Sequence, residues 1–87
     1  MALTRSDAAV LRNVTNNFLS ALQIAARMGR KRSDNVYRTL ERISNREGVL
    51  ESRIATIGHH QQTVWRIKPS AVKAVAELIE LAETKTR

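Results

Sequence analysis

The fold is decided by residues 19–67, which read LSALQIAARMGRKRSDNVYRTLERISNREGVLESRIATIGHHQQTVWRI. This stretch contains, in order, a short helical pattern, a basic turn, a longer helical pattern, and two strand-like runs around a glycine. Hydrophobic spacing changes from the period of a helix to that of a strand after Gly48. The order therefore predicts two helices joined by a turn and followed by a β-hairpin.

The first helical pattern begins at Ser20 and ends at Gly29. Ser20 and Gln23 have the spacing of a capping box, in which each side chain bonds a backbone N–H that the helix leaves free. Gly29 favours termination because glycine adopts a positive φ without strain. The expected buried side consists of Leu22, Ile24, Ala25 and Met28.

The second helical pattern begins after Ser33, the expected N-cap, and ends at Gly48. Val36, Leu40 and Ile43 lie at i, i+4 and i+7, so they are predicted to face inward. Helical geometry then places a polar and basic set on the opposite face: Asn35, Arg38, Thr39, Arg42 and Arg46.

The hairpin is predicted from residues 49–57 and 62–67, which are rich in β-branched side chains and are joined by residues 58–61. Trp65 alternates with Ile67, so we expect its ring in the core rather than on the surface. Pro69 ends the sheet.

Two further helices are predicted outside this stretch. Residues 6–17 carry one apolar stripe: Val10, Leu11 and Val14, continued by Phe18. Residues 70–83 carry a broader apolar surface: Val72, Val75, Leu78, Ile79 and Ala82. A surface this wide exceeds what one helix of a small monomer needs to bury, so we expect it to form a homodimer interface. The whole chain, residues 1–87, is predicted to be a single domain.

Charge indicates the kind of partner. The net charge is +7, and residues 27–46 alone hold seven Lys or Arg and two Asp or Glu, a local charge of +5. A nucleic acid is favoured over an anionic membrane, because a glycine and a turn interrupt the basic segment and bulky apolar anchors are missing.

The composition disfavours several other classes of protein. The chain has no cysteine, so disulfides and thiolate metal sites are excluded. No apolar run is long enough to span a bilayer, and no signal-peptide pattern opens the chain. No catalytic grouping is found, so we expect neither an enzyme nor a cofactor. A soluble cytoplasmic protein of prokaryotic, plasmid or viral origin is the expectation.

These features together resemble the winged helix-turn-helix family, in particular small regulators of the MarR and PadR type. The resemblance rests on the Ser20 cap, on Ala25 and Gly29 at i and i+4, and on the Trp65-x-Ile67-x-Pro69 exit, and it covers more than half of the chain. It implies a mainly α fold with a small β-hairpin wing (α+β), in which residues 19–67 form the DNA-binding module and residues 70–83 an additional dimerisation helix.

The resemblance places the second helix of the module in a major groove. Arg38 and Arg42 are then candidates to bond guanine edges, and Asn35 to bond adenine. The full predicted DNA-binding set is Arg30, Lys31, Arg32, Ser33, Asn35, Tyr37, Arg38, Thr39, Arg42, Arg46, Arg53, His59 and His60. The adjacent histidines also raise a metal-site alternative, but no acidic residue or cysteine lies close in sequence, so we expect wing-tip side chains.

The predicted function is sequence-specific binding of double-stranded DNA by a homodimeric transcriptional regulator, a repressor at a palindromic operator. Two alternatives stay open. One is a partition, replication or architectural protein that spreads on DNA, and the other is a winged helix that contacts another protein. The sequence does not indicate whether a small-molecule effector is involved.

Overall fold

The computed structural model describes residues 3–85 and contains four α-helices and three strands. The helices are α1 (Arg5–Arg12), α2 (Ala21–Arg27), α3 (Asp34–Glu47) and α4 (Val72–Lys85). The strands are β1 (Leu19–Ser20), β2 (Leu50–Ile57) and β3 (His60–Ile67), and a 3-10 turn (Pro69–Ala71) precedes α4. Among residues 3–85, no helix has the length and apolar character that crossing a bilayer requires.

The first helix is shorter than predicted. Thr4 and Asp7 form a capping box at its start, and it ends at Arg12, with Asn13 as its C-cap, rather than at residue 17. The Asn13 side-chain amide donates to the carbonyl of Ala9, which competes with continued helical bonding. A local turn follows, in which the backbone N–H of Asn17 donates to the Thr15 hydroxyl.

The helix-turn-helix is confirmed in its main features. α2 begins at the Ser20 capping box, and Val36, Leu40 and Ile43 of α3 are fully buried. Leu22 was wrongly assigned to the core, since its side chain is 54% exposed. It precedes the buried Ile24 by two residues, which turns it about 200° away around the helix axis.

The sheet contains three antiparallel strands in the order β1-β3-β2, one more than the predicted hairpin. Leu19 pairs with Trp65 and Ser20 with Val64, so β1 covers one edge of β3 near its end. Trp65 is buried, as predicted.

The hairpin turn is tighter than predicted, because β3 begins at His60 rather than at residue 62. Ile57 pairs with His60, which leaves Gly58 and His59 as the two turn residues. Gly58 has a φ of 64°, and positive φ is confined to glycines among the described residues. Positive φ at the first turn position alone defines a type II′ turn, whose twist matches that of paired strands.

The last helix lies across its own chain. Val75, 3% exposed, belongs to the core, and Ala82 is also buried. These two residues were predicted to face a second subunit, and the structure instead covers them within the monomer, where α4 packs on α1. Leu78 and Ile79 are half-buried and Val72 is 55% exposed, so the surface left for a partner is narrower than the sequence indicated.

Candidate nucleic-acid interface

A glycine turn sets the position of α3 against α2. Gly29 has a φ of 75°, and the next backbone N–H, that of Arg30, donates to the Ala25 carbonyl at 2.9 Å. Because the apolar side of α3 is buried in the core, its opposite side faces outward. Asn35, Arg38 and Arg46 are exposed there, and Thr39 is half-buried.

The turn before α3 forms an open basic depression of about 640 Å³. It is lined by Arg30, Lys31, Arg32, Asp34 and Asn35. Within residues 3–85, no carboxylate lies at ion-pair distance from the three basic side chains of this turn. The turn therefore presents a net positive charge next to the N-terminus of α3.

Ser33 precedes α3 as predicted, but its side chain makes no capping hydrogen bond. Its carbonyl accepts from the backbone N–H of Tyr37 at 2.8 Å. Because the Ser33 hydroxyl has no hydrogen-bond partner among residues 3–85, it can bond a group outside the protein.

A second groove, of about 470 Å³, lies between α1 and α3. It is lined by Ser6, Val10, Arg30, Asn35, Arg38, Thr39 and Arg42. Five of the predicted DNA-binding residues thus share one concave surface. Ser6 was not predicted to belong to it, because nothing in its sequence context shows that α1 lies beside α3.

Arg42 differs from its neighbours in this groove because it is paired. Its Nη2 donates to Oδ1 of Asp7, a carboxylate of α1 that is 4% exposed. The other oxygen, Oδ2, accepts from the backbone N–H of Thr4 at 3.3 Å. Thr4 and Asp7 have capping-box spacing, which was a usable sequence signal for the start of α1 but not for the ion pair.

Tyr37 lies at the edge of the core, and its ring meets that of Trp65 edge-on at a centroid distance of 6.0 Å. It also lines a groove of about 470 Å³ between the helices and the sheet. The other lining residues are Ala21, Leu22, Ser33, Gln61, Gln62 and Thr63. Tyr37 was predicted to contact DNA, and this placement leaves its ring partly exposed beside the start of α3.

The wing carries an arginine pair stacked on Phe18. The guanidinium carbons of Arg53 and Arg66 lie 4.3 and 4.7 Å from the centre of the Phe18 ring. Arg66 also bonds Glu51, with both Nε and Nη2 at 2.8 Å from Oε1, whereas no carboxylate of residues 3–85 pairs with Arg53. Phe18 was predicted to continue the core stripe of α1, and it instead orients these cations because α1 ends six residues before it.

His59 and His60 are exposed at the wing tip. In the part of the chain that the structure describes, no group of three or more His, Asp or Glu side chains is placed to hold a metal ion.

Comparison with solved structures finds Bacillus subtilis PadR in complex with operator DNA similar to this chain, with a TM-score of 0.67 and 15% sequence identity. The similarity covers 83% of this chain and 46% of the PadR chain, so the chain spans less than half the length of that protein. No family model and no curated protein matches the chain. The likeness confirms the predicted winged-helix fold.

Proposed function

We propose that this protein binds double-stranded DNA sequence-specifically, with α3 in the major groove and the β2–β3 wing beside it, and regulates transcription. The observation that carries the proposal is the groove beside α3, where Asn35, Arg38 and Thr39 lie together with Arg30, which no carboxylate of residues 3–85 pairs with. The winged-helix fold supports the same orientation, because such folds insert this helix into the groove.

Each side chain has a role suited to its position. Arg38 can donate two parallel bonds to a guanine, and Asn35 can pair with an adenine edge. The turn cations Arg30, Lys31 and Arg32 are proposed to contact phosphates, which position the protein without reading sequence. The remaining proposed contacts are Ser33, Tyr37, Thr39, Arg46, Arg53, His59 and His60.

The finer part of the proposal is a homodimeric repressor acting in the cytoplasm at a palindromic operator. A two-fold dimer would present two α3 helices to successive major grooves, about 34 Å apart. An apolar stripe on one flank of α4 supports a second copy as the partner: Ala74 and Leu81 are exposed and Leu78 is half-buried, at i, i+7 and i+4.

The test begins with selection of bound sequences from random duplexes, followed by titration of variants on the preferred and a scrambled duplex. Arg38→Ala should cost about 1–3 kcal/mol on the preferred site and relax base preference there. Arg30→Ala and Lys31→Ala should weaken binding to both duplexes alike. Each should lower the salt slope of binding by about one unit.

Lys73→Ala is the matched control, because it removes an exposed cation from α4, away from the groove. It should leave affinity nearly unchanged. Equal losses on both duplexes for Arg38→Ala would contradict base reading and favour a protein that coats DNA. No duplex binding at physiological salt would favour a winged helix that contacts another protein.

A further inference from the structure

We infer that Asp7 is a positioning residue that holds Arg42 off the DNA and leaves base reading on α3 to Asn35 and Arg38. The inference rests on the proposed function and deepens it. Two arginines lie one helical turn apart in the same groove, and their surroundings differ. Arg38 has no carboxylate partner among residues 3–85, whereas Arg42 is paired with Asp7.

The Asp7 carboxylate is fixed from two sides. The backbone N–H of Asp7 donates to the Thr4 hydroxyl at 3.1 Å, and the carboxylate oxygen Oδ2 accepts from the Thr4 backbone N–H. These bonds hold it at the first turn of α1, and its side chain is only 6% exposed. A buried carboxylate without a cation beside it carries a large desolvation penalty. Moving Arg42 away from Asp7 is therefore energetically costly.

This pairing changes what Arg42 can do at a polyanion. The Asp7–Arg42 pair has no net charge, so it neutralises no phosphate and releases no counterion from DNA. Asp7 offsets the charge of Arg42 in the groove that Arg38 also lines, so Arg42 attracts a phosphate less strongly than an arginine without a carboxylate beside it. The pair therefore lowers non-specific affinity and removes Arg42 from the contacts of α3 with DNA.

The experiment measures the salt dependence of binding for four proteins on the preferred and scrambled duplexes: the unmodified chain, Arg42→Gln, Asp7→Asn and the double variant. Arg42→Gln should leave the salt slope unchanged. Asp7→Asn should release Arg42 and steepen the slope by about 0.9, an additional loss of about 3.5-fold between 50 and 200 mM salt. At low salt, Asp7→Asn should raise affinity for the scrambled duplex more than affinity for the preferred one. The double variant should restore the original salt slope.

Arg38→Gln is the matched control, since it removes the same charge one turn earlier from a side chain that has no ion-pair partner among the described residues. It should reduce preference for the selected site, whereas Arg42→Gln should not. A purely structural ion pair would move thermal stability without moving the salt slope of Asp7→Asn, so that outcome would overturn the inference.

Stability is followed in parallel by thermal unfolding without DNA. Arg42→Gln should unfold at lower temperature than the double variant, because it leaves Asp7 buried without a cation. If Arg42→Gln does not fold, the slopes of Asp7→Asn and the double variant still decide the question. A slope lowered equally by Arg42→Gln and Arg38→Gln would overturn this inference alone, while absence of duplex binding by the unmodified chain would overturn the proposed function and this inference together.

Discussion

At the residue scale, the arginines divide according to whether a carboxylate lies against them. Arg12, Arg42 and Arg66 are paired, with Glu83, Asp7 and Glu51 respectively. Among the described residues, Arg30, Arg38 and Arg53 have no such partner. These three arginines are among the residues that the proposed binding mode directs to DNA, whereas the paired arginines connect elements of the fold.

The Arg12–Glu83 pair should make stability depend on pH. Hydrogen bonds from Arg12 lower the pKa of the Glu83 carboxyl, and the charges of Arg12 and Arg5 act in the same direction. A lowered pKa stabilises the folded protein at pH values above the ordinary pKa of a glutamate. This stabilisation is lost as the pH falls through the folded-state pKa. Glu83→Gln should thus lower the melting temperature slightly at neutral pH and have no effect in acid.

Thermal unfolding from acid to neutral pH, at low and high salt, measures how Glu83→Gln changes the melting temperature. Salt should shrink this change, because the pair is exposed to solvent. Glu80→Gln removes a charge from the same helix without breaking an ion pair and is the control. Identical pH profiles for the two variants would contradict the assignment.

At the element scale, two serines precede helices and differ in what their side chains do. Ser20 accepts from the Gln23 backbone N–H at 3.1 Å, and Gln23 Oε1 accepts from the Ser20 backbone N–H at 2.8 Å. Ser33 makes no such bond at the start of α3. Local capping therefore stabilises α2, whereas α3 depends on the burial of its apolar side.

Replacement of each serine by alanine should separate these cases. Ser20→Ala should lower the free energy of unfolding by about 1 kcal/mol, because a backbone N–H loses its partner. Ser33→Ala should change it by less than about 0.5 kcal/mol, as for a surface substitution. Denaturant unfolding measures both, and a larger cost for Ser33→Ala would contradict the assigned caps.

The wing makes a separate prediction. Replacing both His59 and His60 by alanine should leave folding and sensitivity to chelators unchanged, since the type II′ turn depends on Gly58. Duplex affinity should fall by about 1 kcal/mol, the scale of one lost polar contact. A divalent metal that co-purifies stoichiometrically and is lost in the double variant would refute this prediction.

At the scale of the whole molecule, α4 has apolar side chains on more than one side. Val72 and Leu81, which is 62% exposed, are nine positions apart and so lie about 180° apart around the helix. The flank with Val72 and Ile79 also carries Glu83, which is tied to Arg12 of α1. The flank with Leu78 and Leu81 is the better surface for a second copy.

Light scattering at micromolar concentration should report twice the chain mass of 9.8 kDa. Leu81→Glu should yield a folded monomer, and Val72→Glu, at a similarly exposed site on the other side of the helix, should remain dimeric. Val75→Glu should unfold the chain, because it buries an unpaired charge. A folded monomer from the unmodified sequence would contradict the dimer, and a monomer from Val72→Glu alone would place the interface on the other flank.

The sequence by itself determined the helix-turn-helix, the wing and the buried Trp65, because these follow from local signals. The Ser20 capping box, the spacing of Val36, Leu40 and Ile43, and glycines at turns act within a few residues of each other. The basic turn and the outward face of α3 followed from the same periodicity.

Only the tertiary structure decided which side chains these elements bring together. The Asp7–Arg42 pair joins residues 35 positions apart, and the Arg12–Glu83 pair joins residues 71 positions apart. The end of α1, the pairing of β1 with β3, and the burial of Val75 and Ala82 depend equally on distant segments. A hydrophobic period shows that a face is apolar, but the covering element is set by how the chain folds back on itself.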